Sequence, residues 1–422
     1  MRVLAAAGVG LSVCGMVGIG TGAVPATPAM AAPPGLAAAA VSAAEWPGWR
    51  VSSVLAEVVP PVTALPLSVP AIVGNPRTSW GPTLQTVEAA GAAVAAMSVE
   101  QLAGQVLVAQ YRGPDPQAAA SLVARWNLGG VILMRENILT WDQVRATADA
   151  VQAAVAASGR SWPGIVAVDE EGGRVSRLAG LVTPLPAFAA FGGADAEATR
   201  ARFGLLGADL AALGITMDMA PVADVTIGPA DPTIGDRSAS SDPLLAAQAV
   251  SAASRGLLGA GVIPVLKHFP GHGSVTVDSH EALPFQTATL DQLEVRDLVP
   301  FRAGIAAGAP VVMVGHLCLT QLDPGVPASL SAATYRLLRE VVGFEGVVVT
   351  DSLAMGAIPD LGPGQEAVAA LVAGADLVLM PRDVGAAHAA IVAAVGSGVL
   401  SRERLIEAAV RVVALQMWFA GG

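Results

Sequence analysis

"GIVAVDEEGGRVSRL", residues 164–178, decides the fold. Its first six residues are a near-continuous apolar run, too short for a helix, and read as a strand buried on both faces, as in a parallel sheet flanked by helices. The run stops at Asp169. Charge then crowds around Gly172 and Gly173, a turn that lets the chain double back so that Arg174 or Arg177 can join Asp169 at the carboxyl end of the strand. Ligand chemistry gathers at that end in barrels and open α/β sheets alike.

The same pattern recurs along the chain. "QVLVAQ" (105–110), "GVILM" (130–134), "ITMDMA" (215–220), "VIPVLK" (262–267), "PVVMVG" (310–315), "GVVVT" (346–350) and "ADLVLM" (375–380) are further buried-strand candidates, and each precedes a stretch able to supply a crossover helix. Eight βα units in about 320 residues predict a TIM-like (β/α)8 barrel in a single catalytic domain, with a doubly wound open sheet as the runner-up. Polar groups follow the runs where a barrel needs them: Asp169 and Glu170 after the third, Asp224 after the fourth, Lys267 and His268 at the fifth, His316 after the sixth and Asp351 after the seventh. Ser98 and Gln101 have capping-box spacing, so the barrel domain is expected over 97–422.

Upstream, residues 1–31 read as a secretory signal peptide: one early arginine, an uncharged apolar core, and small residues around Met30 at Ala29 and Ala31. An uncleaved membrane anchor fits less well, given the glycines and the prolines from Pro25. "LSVC" at 11–14 raises lipid attachment at Cys14 as a lesser alternative, because Val13 stands where a small residue is wanted. Residues 32–96 read as an Ala/Pro-rich leader whose breakers prevent long helices. Trp46, Trp49 and Trp80 within it read as apolar patches packing the leader onto the domain, in preference to sugar-stacking platforms. Cleavage after residue 31 would leave one cysteine, Cys318, so no intrachain disulfide is expected. A net charge of −11 argues against nucleic acid and anionic membrane surfaces as partners. No later segment is apolar enough to span a bilayer, and a monomer without stable membrane insertion is expected.

"KHFPGHGSVTVDSH", residues 267–280, holds three of the five histidines. As a metal site it is weak: His268 and His272 are four apart, but Pro270, Gly271 and Gly273 exclude the helix that would set them on one face. As a proton-transfer device it makes better sense. In an extended "DSH", Asp278 and His280 project to one side and Ser279 to the other, so the carboxylate can fix the tautomer of the imidazole and stabilise its charged form. The glycines beside His272 predict a mobile loop that swings this pair over a bound substrate. Opposite it, "EGVVVTDSLAMGAI" places Asp351 past a buried strand, where a carboxylate can attack an anomeric carbon or, alternatively, cap a helix. "TIGDRSAS" offers Arg237 in a loop after the fourth strand, a partner for sugar hydroxyls.

In this order and spacing, "KHFPGHGSVTVDSH", "VDEEGGRVSRL", "IGDRS" and "VVVTDSLAMGAI" resemble the bacterial β-N-acetylglucosaminidases of glycoside hydrolase family 3, from about Met97 to the C-terminus. The D-S-H ending marks the single-domain branch, which carries a histidine–aspartate dyad on the barrel. The β-glucosidase branch takes its acid/base from a second domain, which this chain, ending at Gly422, is expected to lack. The resemblance implies Asp351 as nucleophile, His280 as general acid/base and Asp278 as its orienting partner. It also implies that Asp169, Arg177, Arg237, Lys267 and His268 bind a terminal N-acetylglucosamine, in a retaining double displacement with no metal and no organic cofactor. Two positions depart from the pattern: Ser352, where many relatives carry a second acid, and Glu170, where glutamine is frequent. Export suggests muropeptides or chitin-like oligosaccharides as substrates in the cell envelope or outside it. A phosphorylase and a β-glucosidase are the alternatives within the family. A metal-dependent hydrolase built on His268, His272 and His316, and a non-catalytic cell-wall-binding protein, are the alternatives outside it.

Overall fold

The computed structural model describes residues 76–421. The expected signal peptide, Cys14, Trp46, Trp49 and the leader as far as 75 lie outside the described residues.

The barrel forms as expected. Its strands are β1 (Leu107–Ala109), β2 (Gly130–Leu133), β3 (Ile165–Val168), β4 (Met217–Asp218), β5 (Ile263–Phe269), β6 (Val311–Val314), β7 (Val347–Thr350) and β8 (Val378–Leu379). Each falls within or across one of the eight predicted runs. They line up as β7-β6-β5-β4-β3-β2-β1-β8, with every ladder between them parallel. A parallel bridge from Val349 to Leu377 joins β7 to the residues entering β8 and closes the ring, which removes the open-sheet alternative. Every residue of the eight strands is buried, which explains their unbroken apolar sequences: one face fills the barrel and the other meets the helices.

The helices follow local signals. Asp115 caps Pro116–Trp126 by accepting from the Gln117 N–H, Pro116 occupies the first turn, and Asn127 ends the helix with φ 52°. Asp242 caps Pro243–Gly259 in the same way, ahead of the longest strand, β5.

The expected leader is shorter than 32–96. Thr83 caps a helix at Leu84–Ala95, whose Ala90 and Val94 are fully buried, because the run of prolines ends at Pro82 and the alanine-rich stretch after it favours helix. Trp80 is buried in the core cluster, so it packs and does not offer a sugar platform. The capping box at Ser98 forms one element later and opens Val99–Gln105.

At the amino-terminal end of β8, the carboxylate of Asp376 is fully buried and shared by Arg339 at 2.6 Å, Arg404 at 3.0 Å and Arg411 at 3.2 Å. This cluster lies at the end of the barrel opposite to the functional groups and ties two helical segments, Leu337–Val341 and Arg402–Ala420, to the start of β8.

Candidate active site

The chain leaves β3 at Asp169 and forms a short hairpin, Glu170–Gly172 against Val175–Ser176, turning through Gly172 and Gly173, both with positive φ. In the hairpin, neighbouring side chains face opposite ways. Glu170 faces back, accepting hydrogen bonds from the Ser176 hydroxyl and, at 2.8 Å, from the Leu178 N–H. It therefore braces its own hairpin, and does not line the cavity. Glu171 faces in. Its carboxylate accepts from Lys267 Nζ at 2.6 Å and from Arg237 Nε and Nη2, both at 2.8 Å. Lys267, which projects from β5, also donates to Asp169 at 2.8 Å, and Arg177 stands 3.8 Å from the other Asp169 oxygen. The result is an alternating row, Arg177–Asp169–Lys267–Glu171–Arg237, laid across the barrel mouth. Burial pushes the Glu171 carboxyl up, but Lys267 and Arg237 outweigh it and hold the group far below the ordinary carboxylate range. For Lys267, burial pulls down and the two carboxylates push further up, so it stays an ammonium. Arg174 does not reach the site; it donates to the carbonyls of Thr233 and Ile234.

Asp224, fully buried, anchors the other side. It accepts from His268 Nδ1 at 2.7 Å and from the backbone N–H groups of His268 and His272, the latter at 2.6 Å. Burial acting alone would raise its carboxyl, but His268 more than compensates and the group sits below its ordinary value. Bonding to the carboxylate puts a proton on His268 Nδ1 and fixes the orientation of the ring.

In the loop ending at 280, Asp278 Oδ1 accepts both from the ring Nδ1 of His280 at 2.7 Å and from its backbone N–H at 2.9 Å. The imidazole is held in one tautomer with Nε2 free for proton transfer. A Cβ on Gly273 would lie 2.5 Å from the Val225 carbonyl, so glycine is required there for close approach of two backbones. The tip of the loop is tied to the segment after β7 through Gly356 N–H to the His280 carbonyl and Ala357 N–H to the Ser279 carbonyl, each 3.1 Å.

Asp351 leaves β7 with its backbone N–H on the Val314 carbonyl, and its Oδ1 accepts from the Ser352 N–H at 2.7 Å. Burial pushes its carboxyl up; His316, His268, the Ser352 N–H and Lys267 together bring it below the usual range, so it is a carboxylate at neutral pH. His316 is fully buried behind it, with Nδ1 on the Ser329 hydroxyl and Nε2 on the Ser352 carbonyl, each 2.7 Å. Since a carbonyl only accepts, Nε2 carries the proton and both ring nitrogens are committed. That leaves His316 no lone pair for a metal, and among the described residues no group of three or more His, Cys, Asp or Glu is placed to hold one.

Seven of the eight predicted site residues, Asp169, Arg177, Arg237, Lys267, His268, His280 and Asp351, line one cavity of about 220 Å³; Asp278 stands behind His280. The lining of this cavity also includes the thioethers of Met134, Met313, Met355 and Met380. Glu171 and His272 also line it and were not among the predicted residues; Asp224, beneath them, was noted only as following a strand. The signal for Glu171 was present in "DEEGG", but which of two adjacent glutamates faces inward depends on the pairing of the hairpin.

Residues 97–415 match the glycosyl hydrolase family 3 N-terminal domain. The chain belongs to glycosyl hydrolase family 3. Within this family it is similar to the beta-hexosaminidase LpqI of Mycobacterium tuberculosis, at 40% identity over 300 residues that cover 68% of this chain and 74% of that protein. Among solved structures it resembles a family 3 beta-N-acetylglucosaminidase from Paenibacillus, with TM-score 0.74 and 38% identity, over 77% of this chain and 63% of that one. It also resembles M. tuberculosis LpqI, with TM-score 0.71 and 37% identity, over 78% and 96% of the two chains.

Proposed function

We propose that this family 3 enzyme is an exported, exo-acting, retaining β-N-acetylglucosaminidase that removes terminal N-acetylglucosamine from muropeptides or related oligosaccharides. One observation carries the reading: an imidazole held by a carboxylate, His280 on Asp278 at 2.7 Å, lines the same cavity as the ionised carboxylate of Asp351. In the first half-reaction Asp351 attacks the anomeric carbon while the His280 imidazolium gives its Nε2 proton to the departing oxygen. In the second, neutral His280 takes a proton from water, which displaces Asp351 with a second inversion. Asp278 orients the ring in both. Asp169, Arg177, Arg237, Lys267 and His268 provide the donors and acceptors for the sugar hydroxyls, and the Lys267 and Arg237 charges are already balanced by Asp169 and Glu171. The cavity, about 220 Å³, is smaller than the ~300–1,000 Å³ of typical small-molecule clefts, which suits a single terminal sugar.

The test is trapping with a fluorinated N-acetylglucosaminide that carries an activated leaving group, followed by peptide mapping. A glycosyl adduct on Asp351 is expected; an adduct elsewhere, or none, refutes the assignment. A neutral or cationic histidine repels an anionic acceptor less than glutamate would, so the same assay run in excess phosphate separates hydrolysis from phosphorolysis, with free sugar expected and no glycosyl phosphate. For export, mass spectrometry of the mature chain is expected to find an N-terminus near Ala32; a lipid-modified Cys14 overturns that cleavage site, and an N-terminus left at Met1 overturns export.

A further inference from the structure

Ser279 sits between the two members of the dyad and points the opposite way: the side chains of Asp278 and His280 are 36% and 63% exposed, whereas Ser279 is 2% exposed. Its hydroxyl meets His272 Nε2 at 2.9 Å. His272 is also buried, and its backbone N–H is held by Asp224 at 2.6 Å. One carboxylate beyond β4 therefore grips the root of the loop, and the imidazole of His272 carries that grip to the tip seven residues later. We propose that His272 and Ser279 are positioning residues, a buried latch that sets where His280 presents its Nε2 to the glycosidic oxygen. This rests on the reading of His280 as the acid/base.

Nearer the root the loop is held by Ser274 on Asp297 at 3.0 Å and by the buried Val275, whereas the hydrogen bonds of Ser279 and His280 to the segment after β7 are backbone only, to Gly356 and Ala357. The latch supplies a side-chain restraint at the tip. Burial, followed by the nearby His268, lowers His272 to about 4, so the ring is neutral through the working pH range and the bond to the hydroxyl persists there. Releasing it displaces a proton donor that must lie within hydrogen-bond reach of the leaving oxygen, and a misplacement of about 1 Å costs up to ~10²-fold in rate.

The experiment compares kcat/KM on two N-acetylglucosaminides, one with an alkyl aglycone that needs a proton to depart and one with a dinitrophenyl aglycone that does not. Ser279→Ala is expected to lose about tenfold or more on the alkyl substrate and to stay within about twofold on the dinitrophenyl one. Equal losses on both substrates, or no loss on either, overturn the latch. If thermal unfolding shows Ser279→Ala to be misfolded, the same comparison is made between His272→Gln, which keeps a donor, and His272→Leu, which does not; the alkyl-selective loss is expected in the second and partly rescued in the first. Trapping of Asp351 in the unaltered protein separates the two readings: its failure refutes the assignment of the reaction, whereas successful trapping without the aglycone contrast refutes the latch alone.

Discussion

Replacing Glu171 with glutamine tests the charged row across the barrel mouth. The carboxylate accepts three short bonds from two cations, Lys267 at 2.6 Å and Arg237 twice at 2.8 Å, and the three side chains are 2%, 3% and 11% exposed. Glutamine has one oxygen for these donors and turns an NH2 group toward the other cation. Breaking a buried pair costs about 3–5 kcal/mol; because Lys267 keeps Asp169 at 2.8 Å, the lower end, about 3 kcal/mol, is expected. The group's folded pKa lies far below the unfolded-state value of about 4.3, so its stabilisation is complete above that value and is lost as pH falls toward the folded one. The gap between wild type and Glu171→Gln should then be constant from about pH 5 to 8 and narrow below about pH 4, where the unfolded wild-type chain takes up a proton that the folded one still excludes. Urea unfolding at pH 7, 5, 4 and 3 measures this directly. A gap below about 1 kcal/mol at pH 7, or one that does not narrow in acid, refutes the reasoning.

Four further outcomes are expected. Asp351→Asn should lower kcat by about 10³-fold or more on every aglycone, and His280→Ala should lower kcat/KM by about 10²–10⁴-fold on unactivated ones only, while slowing the release step common to both, as steady-state kinetics with the two aglycone classes will show. Gly356→Ala places a Cβ 2.7 Å from the carbonyls of His280 and Glu281, so it should push the two loops apart, costing about 1–3 kcal/mol in unfolding experiments and lowering kcat/KM. Asp376→Asn leaves three arginines facing a neutral group at the far end of the barrel; about 3–5 kcal/mol of stability should be lost, with the KM of the folded fraction unchanged.

The architecture and much of the site could be read without coordinates, because strand burial and the charge that follows a strand are local properties. "GIVAVD" is apolar throughout because both faces of β3 are covered, and Asp169 stands where the strand meets the mouth. The D-S-H spacing placed Asp278 and His280 on one side of an extended segment and Ser279 on the other, and the coordinates have that arrangement. Three features depended on contacts across the chain. Closure needed the Val349–Leu377 bridge between residues that no local pattern pairs. The roles of Glu170 and Glu171 were set by the hairpin register, which turned one inward to Lys267 and Arg237 and the other back to Ser176. The glycines beside His272 predict a mobile loop from what glycine offers in isolation; the steric reason for glycine at 273, the Val225 backbone packed against it, is visible only in the structure. Residue type and period are written along one dimension, whereas the partner of a buried charge and the space left for a side chain are set by segments distant in sequence, here Asp224 on its two histidines.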